Sequence, residues 1–276
     1  MDMLRDAGLK FRKANRLDIC MVENFPIALV FLPAADIPRF VSESYVDIGI
    51  TGQDMIQESD ISAAKPVTQE LPLGFGRCEL QIQVPKDSQI KSAEDLAGQK
   101  IATSFNVVVA KHFGGIDKNK HTTIVYMGGS VETACTLGLA QGIVDLVESG
   151  ESMRAAGLKP IGRPILSTEA VLITSSGLKD PDKVATAKTL KSRLAAVITS
   201  STYLLCRYNI SQEHRSGAED IIRSTILATR KLENQGDRFE VSCMVEREKA
   251  ATVLDDLQAK GAQDIIMTKI ENPSLA

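Results

Sequence analysis

Two carboxylates and a turn of small residues stand together near the middle of the chain, at the end of an apolar segment. Asp145 and Glu148 close that segment, and Ser149, Gly150 and Ser152 follow. Carboxylates accept hydrogen bonds from sugar hydroxyls, whereas serine hydroxyls and the free N–H groups at a helix start bind phosphate. The pattern therefore indicates a sugar-phosphate site. A solvated turn with serine at the helix N-cap remains open, because short motifs give many false positives.

Two further strand ends carry polar residues. Residues 49–54 form a loop in which Gly52 permits close approach of a ligand and Asp54 accepts from an amine or a hydroxyl. On pattern alone an ordinary turn is the favoured interpretation of this loop. Thr103 and Ser104 end another strand and are candidates to line a cleft. In α/β sheets, ligands bind beyond the carboxyl ends of strands.

Composition and motifs exclude several classes of function. The formal net charge of −3, without a long basic run, argues against nucleic acid as a main partner. No apolar stretch is long enough to span a bilayer, and no secretory signal follows Met1. The five cysteines are scattered singly, which is typical of reduced thiols in a cytosolic protein. The three histidines share no metal spacing, and no Walker loop or serine elbow indicates a covalent nucleophile.

Short apolar strands and helices alternate up to about residue 175. The predicted strands are 27–32, 47–51, 79–85, 100–104, 122–127 and 143–148. One predicted helix begins at residues 36–38, and the others span 92–98, 107–113, 131–140 and 152–156. This alternation predicts right-handed βαβ units and a parallel sheet covered on both faces, which is an α/β fold.

The pattern changes after a turn-rich joint at 175–182. A long helix at 184–199 is followed by strand 203–208, helix 212–222, strands 226–231 and 239–246, helix 249–260 and strand 264–270. That order is βαββαβ, the ferredoxin-like arrangement.

Several segments in chain order resemble the long-form ATP phosphoribosyltransferases, of the fungal type. They are residues 15–18, 28–38, 47–54, 75–80, 101–105, 129–132, 145–158 and 261–265. The resemblance implies two α/β lobes like those of periplasmic binding proteins, with a cleft between them, and a C-terminal ferredoxin-like regulatory domain. It places the first lobe at 1–80 and 158–198, the second at 81–157 and the regulatory domain at 199–276.

The same resemblance implies transfer of the phosphoribosyl group of phosphoribosyl pyrophosphate (PRPP) to N1 of ATP, the first step of histidine synthesis. Mg²⁺, inhibition by histidine, a homo-oligomer between a dimer and a hexamer, and a cytoplasmic location are implied with it. The PRPP-binding residues would be Asp145, Glu148, Ser149, Gly150, Glu151, Ser152 and Met153. The nucleotide-binding residues would be Arg16, Gly52, Asp54, Thr103 and Ser104. No general base is assigned.

Two departures from the family pattern keep alternatives open. The family begins with a strand and a Lys-Gly-Arg-Leu loop, whereas this chain starts in what resembles the second half of the following helix, so we expect an incomplete gene model or an internal start. Residues 222–226 also lack the glycine-rich turn of the family's regulatory domain. A catalytically inactive homologue with a regulatory role and a two-lobed solute-binding protein are the competing hypotheses.

Overall fold

The computed structural model describes residues 1–14, 18–59, 66–117, 121–222, 225–233 and 236–271. Arg16, and residues 223–224 of the altered turn, lie outside the described residues. The chain forms two compact units, a larger one of residues 13–20 and 28–187 and a smaller one of residues 1–12, 21–27 and 188–276.

The elements up to residue 175 are short strands and helices. In chain order they are α1 (Asp2–Asp6), β1 (Ile19–Met21), β2 (Ala28–Val30), α2 (Ile37–Ser42), β3 (Ile48–Gly52), α3 (Gln53–Glu58), β4 (Val67–Pro72), β5 (Cys78–Pro85), β6 (Lys100–Thr103), α4 (Asn106–Gly114), β7 (Thr123–Tyr126), α5 (Thr133–Thr136), β8 (Gly142–Val147), α6 (Glu151–Ala155), β9 (Leu158–Thr168) and β10 (Ala170–Ser175). The segment predicted as a helix at 92–98 has a 3₁₀ turn at Glu94–Leu96.

The described part of the larger unit contains a three-stranded and a five-stranded sheet, besides the short pair β1-β2. One has the order β3-β10-β4 and is antiparallel, and the other has the order β7-β6-β8-β5-β9. In the second sheet β6 runs parallel to β7 and β8, whereas β5 runs antiparallel to β8 and β9. The expectation of a parallel sheet therefore holds for β6, β7 and β8 and fails for β5 and β9, and also for β3, which pairs antiparallel with β10. The chain enters this sheet at β5 from β4 and leaves it from β9 to β10, so neither strand is linked to its neighbours by a βαβ crossover.

Helices cover both faces of the five-stranded sheet. Ile143 and Val144 are adjacent in β8 and fully buried, and they belong to separate apolar clusters. Val144 packs in the cluster that includes Phe113 of α4, and Ile143 packs in the cluster that includes Met153 of α6. Successive strand residues point to opposite faces, so a strand buried on both faces reads as a continuous apolar run.

One predicted helix is much shorter than expected. Residues 131–140 were predicted to be helical, but α5 covers only Thr133–Thr136. Gly138 takes a φ of +70°, and the N–H of Leu139 bonds back to the carbonyl of Ala134. A left-handed glycine with such a bond ends a helix.

The smaller unit contains the predicted ferredoxin-like domain. The helix α7 (Pro181–Thr202) leads into β11 (Tyr203–Ser211), α8 (Gln212–Ile222), β12 (Ile226–Lys231), β13 (Arg238–Glu246), α9 (Ala250–Ala259) and β14 (Gln263–Lys269). The sheet has the order β12-β13-β11-β14 and is antiparallel throughout. Cys206, Tyr208 and Ile210 of β11 form its core with Ala218 of α8 and Leu257 of α9. The predicted α/β class and the βαββαβ order are confirmed. Within the described residues, no helix combines the length and apolarity needed to cross a membrane.

Candidate active site

A cavity of about 630 Å³ lies in the larger unit, where the chain crosses between its two sheets. This volume is in the range of small-molecule sites. One wall is the end of β8 and the loop into α6, including Glu148, Ser149 and Gly150. The opposite wall contains Gln53 at the start of α3 and Glu169 between β9 and β10. The cavity is thus bordered by two of the predicted strand-end loops.

The loop after β8 is held by its own residues. Gly150 has a φ of +73°, which a residue with a side chain adopts only at a cost. Met153 is buried beneath the loop, and Arg154 donates from Nη2 to the carbonyl of Ser149 at 3.0 Å. The helix α6 has only five residues, so its macrodipole adds little. Phosphate binding here would depend on the loop N–H groups and side chains.

Four of the seven predicted PRPP-binding residues line the cavity: Glu148, Ser149, Gly150 and Met153. Glu151 and Ser152 are exposed and do not line it. Asp145 is half-buried and does not line the cavity, but it pairs across the sheet with Gln81 of β5, which does line the cavity. The structure therefore brings the centre of the predicted loop to the cavity and leaves Asp145 at its edge.

The carboxyl group of Asp145 has a raised pKa. Burial raises its pKa, the nearby Glu132 raises it further, and the hydrogen bond from the N–H of Leu146 (2.8 Å) opposes both. A buried carboxyl group with a like charge nearby binds its proton more tightly than in water.

Gly52 and Asp54 support the opposite wall from behind. Asp54 is only 5% exposed, and its Oδ1 accepts from the hydroxyl of Thr168 at 2.7 Å. The N–H of Asp54 donates to the same hydroxyl oxygen at 3.0 Å. A Cβ on Gly52 would collide with Oδ1 of Asp54, so the glycine leaves the space that this carboxylate occupies. Thr168 lines the cavity, so these two hydrogen bonds fix the position of one of its lining side chains.

Thr103 and Ser104, two further predicted nucleotide-binding residues, lie between the end of β6 and the start of α4 and do not line the cavity. Thr103 is fully buried, and its hydroxyl donates to the carbonyl of Val144 and accepts from the N–H of Phe105. Both bonds shape the strand end, while Ser104 is half-buried. The first N–H groups of α4 bond to the carboxylate of Glu58 from α3.

Arg77, Cys78 and Glu169 line the cavity but were not among the predicted site residues. Nε of Arg77 lies 3.5 Å from Oε2 of Glu169, and the N–H of Gln53 donates to the carbonyl of Glu169. Burial raises the pKa of the Cys78 thiol, and Asp54 and then Glu148 raise it further. A protonated thiol is a weak nucleophile. The signal that would have found these residues is their position at the two crossings between sheets, which local pattern does not show.

Side chains that could bind a metal ion do not form a cluster among the described residues of this site. Throughout the described ranges, no three His, Cys, Asp or Glu side chains are arranged to hold a metal ion.

Comparison with known families decides the classification. Residues 33–196 match the family model described as ATP phosphoribosyltransferase, and residues 200–272 match the model described as HisG, C-terminal domain.

The chain belongs to the ATP phosphoribosyltransferase family.

Fungal members of the ATP phosphoribosyltransferase family are similar over nearly the whole chain. The ATP phosphoribosyltransferase of Yarrowia lipolytica is 42% identical over 99% of this chain and 90% of its own length. That of Saccharomyces cerevisiae is 41% identical over 99% of this chain and 91% of its own length. The predicted resemblance to the fungal type is thereby confirmed.

A solved ATP phosphoribosyltransferase has a similar fold. The chain matches one from the ATP phosphoribosyl transferase (HisG:HisZ) complex of Thermotoga maritima with a TM-score of 0.59 and 22% identity. The match covers 72% of this chain and 91% of the other. The residues that line the cavity, from Gln53 to Glu169, all fall inside the segment that matches the family model.

Proposed function

We propose that this chain transfers the phosphoribosyl group of PRPP to N1 of ATP, giving phosphoribosyl-ATP and pyrophosphate, the first step of histidine synthesis. The observation that carries the proposal is the cavity between the loop at Glu148–Gly150 and the wall at Thr168, because both lie within the family's matched segment. The two catalytic lobes, 1–80 with 158–198 and 81–157, are part of this proposal.

The loop wall would bind PRPP. Glu148 is exposed in the cavity and presents a carboxylate to the ribose hydroxyls, while Ser149 and the Gly150 backbone present donors to the 5-phosphate. Asp145 would accept a second ribose hydroxyl from the edge of the site. Glu151, Ser152 and Met153 would complete the loop, with buried Met153 as its anchor.

The opposite wall would bind the nucleotide. Asp54 holds the Thr168 hydroxyl, which retains acceptor capacity for a donor on adenine, and Gly52 leaves the space that the Asp54 carboxylate occupies. Ser104 would extend the site beyond the wall, with Thr103 fixing the strand end behind it. Arg16 is also proposed to bind the nucleotide.

The reaction needs orientation and charge neutralisation more than an enzyme nucleophile. The bond between adenine N1 and the anomeric carbon forms as the bond from that carbon to the pyrophosphate oxygen breaks, and pyrophosphate leaves with the electron pair. The residues described hold the two reactants in line, and we assign no general base. Mg²⁺, held mainly by phosphate oxygens of the substrate, would offset the charge of the pyrophosphate.

The remaining parts of the proposal concern regulation and assembly. We propose that histidine inhibits the enzyme through the ferredoxin-like domain, supported by the match of residues 200–272 to the family's C-terminal model. A homo-oligomer, between a dimer and a hexamer, and a cytoplasmic location complete it.

The test is turnover of ATP and PRPP in the presence of Mg²⁺, with a pyrophosphatase to draw the equilibrium toward product. Glu148→Gln should lower kcat/KM about 10- to 150-fold, because it removes the charge that strengthens the hydrogen bond and replaces one acceptor oxygen with an NH2 donor. Glu43→Gln, an exposed carboxylate at the end of α2, is the matched control. Folded wild-type protein that forms no product would contradict the proposal, and binding of a small solute without PRPP binding would favour the solute-binding class.

A further inference from the structure

Arg154 lies against the PRPP loop in a way that the sequence pattern did not reveal. Its Nη2 donates to the carbonyl of Ser149 at 3.0 Å. Its Nη1 lies 2.8 Å from the position that a Cβ on Gly150 would occupy. The guanidinium therefore packs directly on the bare backbone of Gly150, and the carbonyl of Ser149 fixes its plane.

Arg154 differs from Arg77, the other arginine that lines the cavity, in having no ion-pair partner among the described residues. Three carboxylates (Glu79, Glu148 and Glu169) and two guanidinium groups (Arg77 and Arg154) line it. Arg77 is paired with Glu169 at 3.5 Å. Within the described part of the chain, no carboxylate lies within ion-pair distance of Arg154, whose side-chain partner is the neutral carbonyl of Ser149. Among the described residues its guanidinium thus has no ion-pair partner, although it lines a cavity proposed to take an anionic substrate.

We infer that Arg154 binds the 5-phosphate of the phosphoribosyl substrate, and that its bond to Ser149 makes the guanidinium and the loop one binding unit. The inference rests on the proposed function and deepens it by naming the cation that meets the phosphate. A guanidinium has five N–H donors in a planar fork that matches phosphate oxygens. One donor is used on Ser149, so the others remain for the ligand. The phosphate monoester is the group expected here because Ser149, Gly150 and Arg154 line the same cavity.

Lysine does not reproduce this arrangement. An ammonium group is a compact charge on a flexible stem and has no plane to lie on Gly150 while it bridges the Ser149 carbonyl and a phosphate. Arg154→Lys should therefore keep part of the electrostatic attraction and lose the orientation. Arg154→Gln should lose both.

The experiment is calorimetric titration of wild type, Arg154→Gln and Arg154→Lys with ribose 5-phosphate, PRPP and ATP. Arg154→Gln should weaken ribose 5-phosphate and PRPP about 10- to 100-fold, which corresponds to loss of a charge-assisted hydrogen bond, and should change ATP affinity less than about threefold. Arg154→Lys should bind ribose 5-phosphate and PRPP with affinities between those of wild type and Arg154→Gln. Arg163→Gln is the matched control, because Arg163 is an exposed arginine of β9 that does not line the cavity.

Two results would overturn the inference about Arg154 and leave the proposed function standing. One is wild-type affinity of Arg154→Gln for ribose 5-phosphate. The other is equal weakening of all three ligands together with a lowered Tm, since that pattern means a purely structural role. A wild-type protein that binds ATP but neither PRPP nor ribose 5-phosphate would overturn the proposed function and the inference with it.

Discussion

Replacing Gly52 by alanine should destabilise the larger unit, because the new methyl group would take the space of a buried carboxylate. The backbone of Gly52 has φ −79° and ψ 150°, which alanine adopts without strain. The conflict lies only with Oδ1 of Asp54, a side chain that is 5% exposed. To make room, Asp54 must turn away from the hydroxyl of Thr168, to which it bonds at 2.7 Å.

The magnitude is the difference between two opposing effects. Loss of a hydrogen bond to a charged, buried acceptor costs about 1.5–3 kcal/mol. Restriction of the unfolded chain by alanine in place of glycine returns about 0.4–1 kcal/mol. The hydrogen bond is the larger effect, so Gly52→Ala should lower the free energy of unfolding by roughly 0.5–2.5 kcal/mol.

Urea unfolding followed by far-ultraviolet circular dichroism measures this change. Gly114→Ala is the matched control, because Gly114 ends α4 and a Cβ there meets nothing within 4 Å. It should be neutral or slightly stabilising. In an Asp54→Ala background the cost of Gly52→Ala should disappear, since the colliding oxygen is absent. The reasoning is refuted if Gly52→Ala costs the same with and without Asp54, or if it stabilises as Gly114→Ala does.

Two further predictions concern carboxylates of the same unit. The native pKa of Asp145 is raised, so the folded state binds this proton more tightly and its contribution to stability should fall as pH rises from about 4 through the raised pKa. Asp145→Asn should remove that part of the pH dependence of unfolding, and an unchanged profile would contradict it. Glu58→Ala should cost about 1–2 kcal/mol in urea unfolding, because the carboxylate accepts from the N–H groups of Val107 and Val108. Glu58→Gln should recover part of the loss, and no loss in Glu58→Ala would show that water replaces the cap.

The ferredoxin-like domain was predictable because its pattern is local. The predicted bounds of α8 and β12 agree with the structure, Gln212–Ile222 and Ile226–Lys231. In β13 the residues Val241, Cys243 and Val245 are buried in strict alternation. A sheet with helices on one face produces such a period of two, and each strand can be recognised without knowledge of its partner.

The larger unit was harder to predict because its topology depends on distant pairing. The sequence showed the strands with helical connections, β6, β7 and β8, and the loop that follows β8. It did not show β9 (Leu158–Thr168) or β10 (Ala170–Ser175), which are consecutive in the chain but belong to different sheets. The direction and partner of such strands are set by residues far away in sequence. Arg77 and Glu169 were missed for this reason, since they stand at the crossings.

This difference in origin predicts a difference in how the two walls respond to substitution. The loop wall comes from one continuous segment, and its functional side chains, Glu148 and Ser149, are exposed. Substitutions there should change ligand affinity with little change in stability. The opposite wall depends on the bond between Asp54 and Thr168, which are 114 residues apart and both buried. Because that bond joins α3 to the end of β9, its loss should weaken the fold and move the cavity wall at once. The two effects at this wall should therefore be inseparable, whereas at the loop wall they should be independent.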